Sequence, residues 1–168
     1  MPRTLAGKTA IITGAGTGVG RALARRFSEA GARLMLADED DAALAETLDV
    51  CEGEADKFHG DMQERLSVNN LLAATQDRYR SLDILVSAGR QARPGSFMEL
   101  SPEDFAAAQA ENVQSVFMLA QAVARRMIER REKEREFSGA MVMMSSIASQ
   151  RTVPELFAYS VACAALDQ

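Results

Sequence analysis

The sequence predicts an α/β fold, a doubly wound parallel sheet in a three-layer αβα arrangement. Three observations carry that expectation: five short apolar runs, longer segments of helical spacing between them, and Gly, Asp or Ser where one pattern gives way to the next. A strand, a crossover helix and a second parallel strand close right-handed, so repeated units bury a sheet under helices on both faces. No linker, repeat or low-complexity tract interrupts the pattern, and residues 1–168 read as one domain.

The strands are expected at "TAIIT" (Thr9 to Thr13), "RLMLAD" (Arg33 to Asp38), "ADKFHG" (Ala55 to Gly60), "LDILVSAG" (Leu82 to Gly89) and "AMVMMSS" (Ala140 to Ser146). Val19, Leu23 and Phe27 recur every fourth residue and predict the first helix, with Gly31 as its C-cap. Ala43, Leu44 and Leu48 mark a second, and Leu66, Leu71, Leu72 and Tyr79 a third. The fourth opens with Ser101 as N-cap, Pro102 at the first helical position and Glu103 and Asp104 in the first turn. It then runs past Val113, Phe117, Leu119, Val123 and Met127, and a fifth begins near Tyr159. Met141, Met143 and Met144 read as plain core residues.

Composition narrows the function classes. With 47% hydrophobic residues in 168, the chain has material for a core, and its net charge of -5 is mild. The densest charge run, Arg125 to Glu136, alternates in sign and reads as a solvated helix end, so no nucleic-acid partner is expected. "MPRTLAGKTAIITG" holds no apolar segment of signal-peptide length, and no stretch approaches the roughly 20 apolar residues of a membrane span. A cytoplasmic protein without a membrane partner is the expectation. Cys51 and Cys163 lie far apart and His59 stands alone, so neither a disulfide framework nor a metal site is expected.

The chemistry concentrates in "TGAGTGVGRALARRF", which joins the first strand to the first helix. Gly14 permits a tight turn, Gly18 and Gly20 allow close approach of ligand and sheet, and the helix start behind them presents unpaired N–H groups. Such a turn suits a pyrophosphate. Gly14, Gly16, Gly18 and Gly20 alternate, which differs from the generic GxGxxG spacing. Asp38 ends the second strand, where a carboxylate accepts hydrogen bonds from adenosine ribose hydroxyls and repels a 2′-phosphate. Thr17, not an arginine, occupies the turn. NAD is therefore expected over NADP.

These residues resemble the classical short-chain dehydrogenase/reductase family, whose fold is Rossmann-like. "TGAGTGVG" is similar to its TGxxxGxG, Gly60 and Asp61 to its adenine-side aspartate, and "LDILVSAG" to its DILVNNAG strand. Asn112 in "ENVQSVF", the serine-bearing "MVMMSSIAS" and "YSVAC" in place of YxxxK follow in the family's order. The resemblance implies that Gly14, Thr17, Gly18, Val19, Gly20, Ala88 and Gly89 line the coenzyme site, with Asp38 on the ribose and Asp61 on the adenine. It implies Tyr159 as general acid/base and Ser146, thirteen residues earlier, as hydrogen-bond partner of the same alcohol or ketone oxygen. Ser145 is left as the strand's last packed residue. Asn112 would help hold a relay water, and the nicotinamide C4 would carry the hydride. The helix opening at Ser101 and the one bearing Tyr159 pack in the family's subunit interfaces, so a homo-oligomer is expected.

Three departures accompany the match. Ser87 stands where the family has an amide that ties neighbouring strands. The family continues past the equivalent of residue 168 through further strands, so "AMVMMSS" is expected at the sheet edge. Cys163 replaces the lysine that lowers the tyrosine pKa. Bringing a phenol from about pH 10 three units toward neutrality takes roughly 4 kcal/mol of differential stabilisation, and a neutral thiol provides almost none. Two readings follow: an alcohol or ketone oxidoreductase, or a nucleotide-binding member that lacks the chemistry. Binding of NADH with or without turnover distinguishes them.

Overall fold

The computed structural model describes residues 4–168; Met1 to Arg3 of the N-terminal segment read above lie outside the described residues. Five parallel strands, β1 (Thr9–Thr13), β2 (Arg33–Asp38), β3 (Ala55–His59), β4 (Ile84–Ser87) and β5 (Ala140–Met143), stand in the order β3-β2-β1-β4-β5. Six α-helices connect or follow them: α1 (Gly18–Glu29), α2 (Asp41–Asp49), α3 (Arg65–Tyr79), α4 (Pro102–Gln109), α5 (Ser115–Lys133) and α6 (Phe157–Asp167).

Alternation along the strands decides which helices cover which face. Ile11 pairs in register with Met35 and Leu85, and these side chains meet Leu71 and Leu72 of α3 and Leu119 and Val123 of α5. Ile12, Leu34, Leu36 and Val86 point the other way, against Ala24 of α1 and Leu44 of α2. The continuous apolar runs of β1, β2 and β4 are thus explained: these strands are covered on both faces, and every residue of β1 is buried.

One buried carboxylate anchors the opposite end of the sheet. Asp83, just before β4, accepts the Thr9 N–H at 2.9 Å, and its other oxygen pairs with Arg130 of α5 at 3.2 Å and Lys8 at 3.8 Å. The strand begins at Ile84 rather than Leu82, and the Asp83 backbone still pairs with Thr9 and Ala140. Arg130 also departs from the expected solvated helix end, since its guanidinium lies over the Phe137 ring at 4.1 Å.

Other expectations need correction. Met141 and Met143 are not core residues: they are 37% and 39% exposed, because β5 pairs with β4 alone and its surfaces lie open. Met144 falls beyond the strand. The long helix expected from Pro102 to Met127 is interrupted by a π-turn at Ala110–Gln114 and continues to Lys133. Within that turn Asn112 reaches across to the loop after β4, an interaction that spacing along one helix does not reveal.

Candidate active site

The carboxyl ends of β2, β1, β4 and β5 open into a cleft of about 580 Å³. The strand order reverses between β1 and β4, the place where an open parallel sheet leaves a crevice.

The glycine turn forms its middle. Gly14 has φ +67°, and a Cβ there would lie 2.3 Å from the Gly89 nitrogen, so the ends of β1 and β4 meet glycine to glycine. A Cβ on Gly20 would lie 1.9 Å from the Gly14 carbonyl oxygen, which assigns Gly20 to seating α1 on the turn; it does not line the cleft. Gly18 has φ +53° with nothing within 4 Å of its added Cβ, leaving the backbone open to a ligand. Thr17 is the N-cap of α1 but makes no side-chain cap, so the first N–H groups face the cleft without that competitor. Arg21 braces the turn from behind, donating to the Gly16 carbonyl at 2.6 Å and to Thr47 and Glu46 of α2.

One end of the cleft is acidic. Asp38 accepts the Gly16 N–H at 2.9 Å and the Asp40 N–H at 3.2 Å, and Asp61 accepts the Gln63 N–H at 2.7 Å. Between them Glu39 has its pKa raised, by burial first and by the neighbouring Asp61 and Asp38 charges after it. Ala88 and Gly89 continue the lining past β4. Ser87 does tie neighbouring strands, since its hydroxyl accepts from Thr13 at 3.4 Å.

Ser146 and Tyr159 form the other end. Ser146 caps a 3₁₀ turn, accepting the Ala148 N–H at 3.2 Å, and Tyr159 stands in the first turn of α6. The Tyr159 phenol has its pKa raised, by burial first and then by the neighbouring Cys163 thiol; the Ser146 hydroxyl and the Arg90 charge oppose the rise. Cys163 is 1% exposed and packs with Tyr159 and Ala148. Ser145 is not merely packed, because its hydroxyl donates to the Cys163 carbonyl at 3.3 Å and it lines the cleft.

Asn112 stands apart from this group. Its amide donates to the Gln91 and Ala108 carbonyls and accepts the Gln91 N–H, each at 3.0 Å, and it is 1% exposed. The side chain is committed to holding the loop after β4. That loop is clipped to the segment before α6, where the Gly95 N–H donates to Glu155 and Phe97 meets Phe157 edge-on at 4.9 Å. Sequence reasoning gave Arg90 and Arg21 no role of their own. Arg21 directly follows the glycine motif, and Arg90 directly follows Gly89, which were the available signals.

Residues 8–168 match the family model for short chain dehydrogenase. The chain is 32% identical over 164 residues to short-chain dehydrogenase reductase 3a of Arabidopsis thaliana, covering 96% of itself and 62% of that relative. Among solved structures, a short-chain type dehydrogenase/reductase from Mycobacterium marinum matches with a TM-score of 0.90 at 27% identity, covering 97% of this chain and 66% of that one. A 7α-hydroxysteroid dehydrogenase complexed with NADH matches with a TM-score of 0.88 at 29% identity, covering 96% and 62%. The fold is a doubly wound parallel α/β fold of Rossmann type, with an open cleft at its strand ends. The chain belongs to the short-chain dehydrogenase/reductase family, and it spans about three-fifths of the length of the Arabidopsis relative.

Proposed function

We propose that the chain acts as an NAD-dependent oxidoreductase on an alcohol or ketone. The observation that carries this reading is the order of groups along one cleft: an acidic ribose end, an open helix start at Gly18, and a serine and tyrosine at the far end. The residues fit such a coenzyme. Asp38 would hold the adenine-side ribose and Asp61 the adenine, while Gly14, Thr17, Gly18 and Val19 would hold the diphosphate and Ala88 and Gly89 would flank it toward the nicotinamide. When bound, the coenzyme supplies the hydride acceptor or donor. Ser146 would hydrogen-bond the substrate oxygen, and Tyr159 would take or give the proton at that oxygen. Asn112 would position the loop that walls this end.

Asp38 favours NAD over NADP, because a 2′-phosphate would face a carboxylate already shared with the Gly16 N–H. The NADH in the hydroxysteroid dehydrogenase structure agrees with that preference. Self-association is part of the same reading, and Phe117 and Ile128 stand exposed on α5 at 60% and 61%. Among the described residues no helix is long and apolar enough to cross a membrane.

Fluorescence titration with NADH followed by turnover on an alcohol and ketone panel tests the reading. Saturable binding is expected, with turnover that disappears in Tyr159→Phe while binding stays. Folded protein that takes up no NADH would overturn it.

A further inference from the structure

The cleft has a charge balance that its own residues leave incomplete. Among the described residues lining it, the charged ones are Asp38, Glu39 and Asp61 at the acidic end, and Arg90, Arg93 and Glu111 from the loop after β4 and the π-turn. Arg93 grips both carboxylate oxygens of Glu111, so those two charges cancel. Arg90 has no such partner. Its Nη1 donates to the Gly89 carbonyl, while its Nε and Nη2 are buried and bond to nothing among the described residues. Those two nitrogens form a single edge of the guanidinium, the same edge with which Arg93 holds Glu111.

The backbone that carries Arg90 is fixed on both sides. Gly89 before it meets Gly14 so closely that a Cβ on Gly14 would lie 2.3 Å from the Gly89 nitrogen, and Gln91 after it is held through its N–H and its carbonyl by the Asn112 amide, each at 3.0 Å. The side chain is tied by Nη1 alone, to a carbonyl of the adjacent residue, so it can release that bond and turn its free edge into the cleft it lines. A buried guanidinium edge without an acceptor is unfavourable, and an anionic oxygen relieves it more than a neutral one. The coenzyme's own anionic group, the diphosphate, is taken by the helix start at Gly18 in the reading above. The substrate is left to bring the anion.

Resting on that reading, we infer that Arg90 selects substrates that carry a carboxylate: a hydroxy or oxo acid whose reacting oxygen meets Ser146 and Tyr159 while its carboxylate pairs with the Nε and Nη2 edge of Arg90. All three residues line the one cleft. Arg90 is then a specificity residue, and it takes no part in moving the proton or the hydride; its guanidinium stays protonated throughout, as arginine does in proteins. The chain length between the two ends of the substrate is set by how far the cleft separates them, which a series of acids reads directly.

The test uses unreactive ligands and so needs no turnover. Acetate, butanoate and hexanoate, each beside its neutral amide, and inorganic phosphate are titrated by calorimetry into the whole chain, with NADH present and without it. The best carboxylate is expected to bind about tenfold or more tightly than its amide, because a hydrogen bond to a charged partner is worth more than one to a neutral partner. Arg90→Met is expected to abolish that difference and Arg90→Lys to keep part of it. If circular dichroism shows that Arg90→Met does not fold, Arg90→Gln, which keeps a donor for the Gly89 carbonyl, carries the same expectation. Amides that bind as well as the acids, acids that do not bind, or a preference that survives loss of the charge overturn the inference. Phosphate binding as tightly as the best carboxylate overturns it too, since the site would then take any anion. NADH titration of the same samples separates the two claims: intact NADH binding with no preference for carboxylates removes the role of Arg90 alone, whereas wild-type protein that prefers carboxylates through Arg90 but binds no NADH removes the coenzyme reading and leaves the carboxylate site standing.

Discussion

The first turn of α1 rests on the carbonyl of Gly14: a Cβ built on Gly20 would come within 1.9 Å of that oxygen. No side-chain adjustment relieves a clash with backbone, so helix and turn must separate. Gly20→Ala is therefore expected to destabilise the fold by about 3 kcal/mol or more, read by chemical denaturation. Gly18→Ala meets no atom and suffers only from its positive φ, a cost of about 1–2 kcal/mol. It should remain folded and lose NADH affinity, because the new methyl group enters the open approach to the helix start. Equal stability losses in the two variants would contradict this division of roles.

Asp38 shares its carboxylate with the Gly16 N–H at 2.9 Å. Asp38→Asn keeps an acceptor for that N–H while removing the charge that opposes a 2′-phosphate. The ratio of NADPH to NADH affinity is expected to rise about fivefold, the equivalent of roughly 1 kcal/mol for charges some 4 Å apart in a watery site. Paired fluorescence titrations with the two coenzymes measure it, and an unchanged ratio would count against Asp38 as the selecting group.

Asp83 illustrates what a buried charge does far from the cleft. Its two oxygens bind the Thr9 N–H and the Arg130 guanidinium, joining the starts of β1 and β4 to α5. Asp83→Ala leaves the buried Thr9 N–H without its acceptor and Arg130 with Glu134 as its remaining carboxylate partner, so a loss of about 1–3 kcal/mol is expected. Asp83→Asn, which retains one acceptor, should lose less. Denaturant midpoints of the two variants give the comparison.

Tyr79 sets an alkaline limit. Its hydroxyl donates to the Leu34 carbonyl at 2.7 Å, and burial, ahead of the nearby Asp56 charge, pushes its pKa up to about 12. The folded state then holds this proton more tightly than the unfolded one. The resulting stability is present below about pH 10 and disappears as pH rises through about 12, over a span on the order of 2 kcal/mol. Tyr79→Phe is expected to flatten this part of the stability profile, and an equally steep fall in the variant would assign the slope to other groups.

Much of this protein is legible in a single pass along the chain because its information is local. Short continuous apolar runs and a spacing of nearly four separate strands from helices, and glycines between a strand and a helix mark where backbone must approach backbone. Asp38 was read from its place at the end of the second strand, and Tyr159 from the family resemblance of its motif. The methionines of β5 misled because an apolar run states only that a strand could be buried. Their exposure follows from the position of β5 beside β4 with no strand on its other side.

What the sequence determined by itself is the alternation of strands and helices, the parallel sheet and the place of the glycine turn, all consequences of hydrophobic patterning and steric permission at neighbouring residues. Tertiary structure alone decided that Gly20 seats a helix while Gly18 stays open, that Asn112 holds a loop 21 residues earlier, and that Arg90 lines the same cleft as Tyr159. Those relationships depend on crossovers that bring distant strand ends together, so that contacts form across space without regard to distance along the chain.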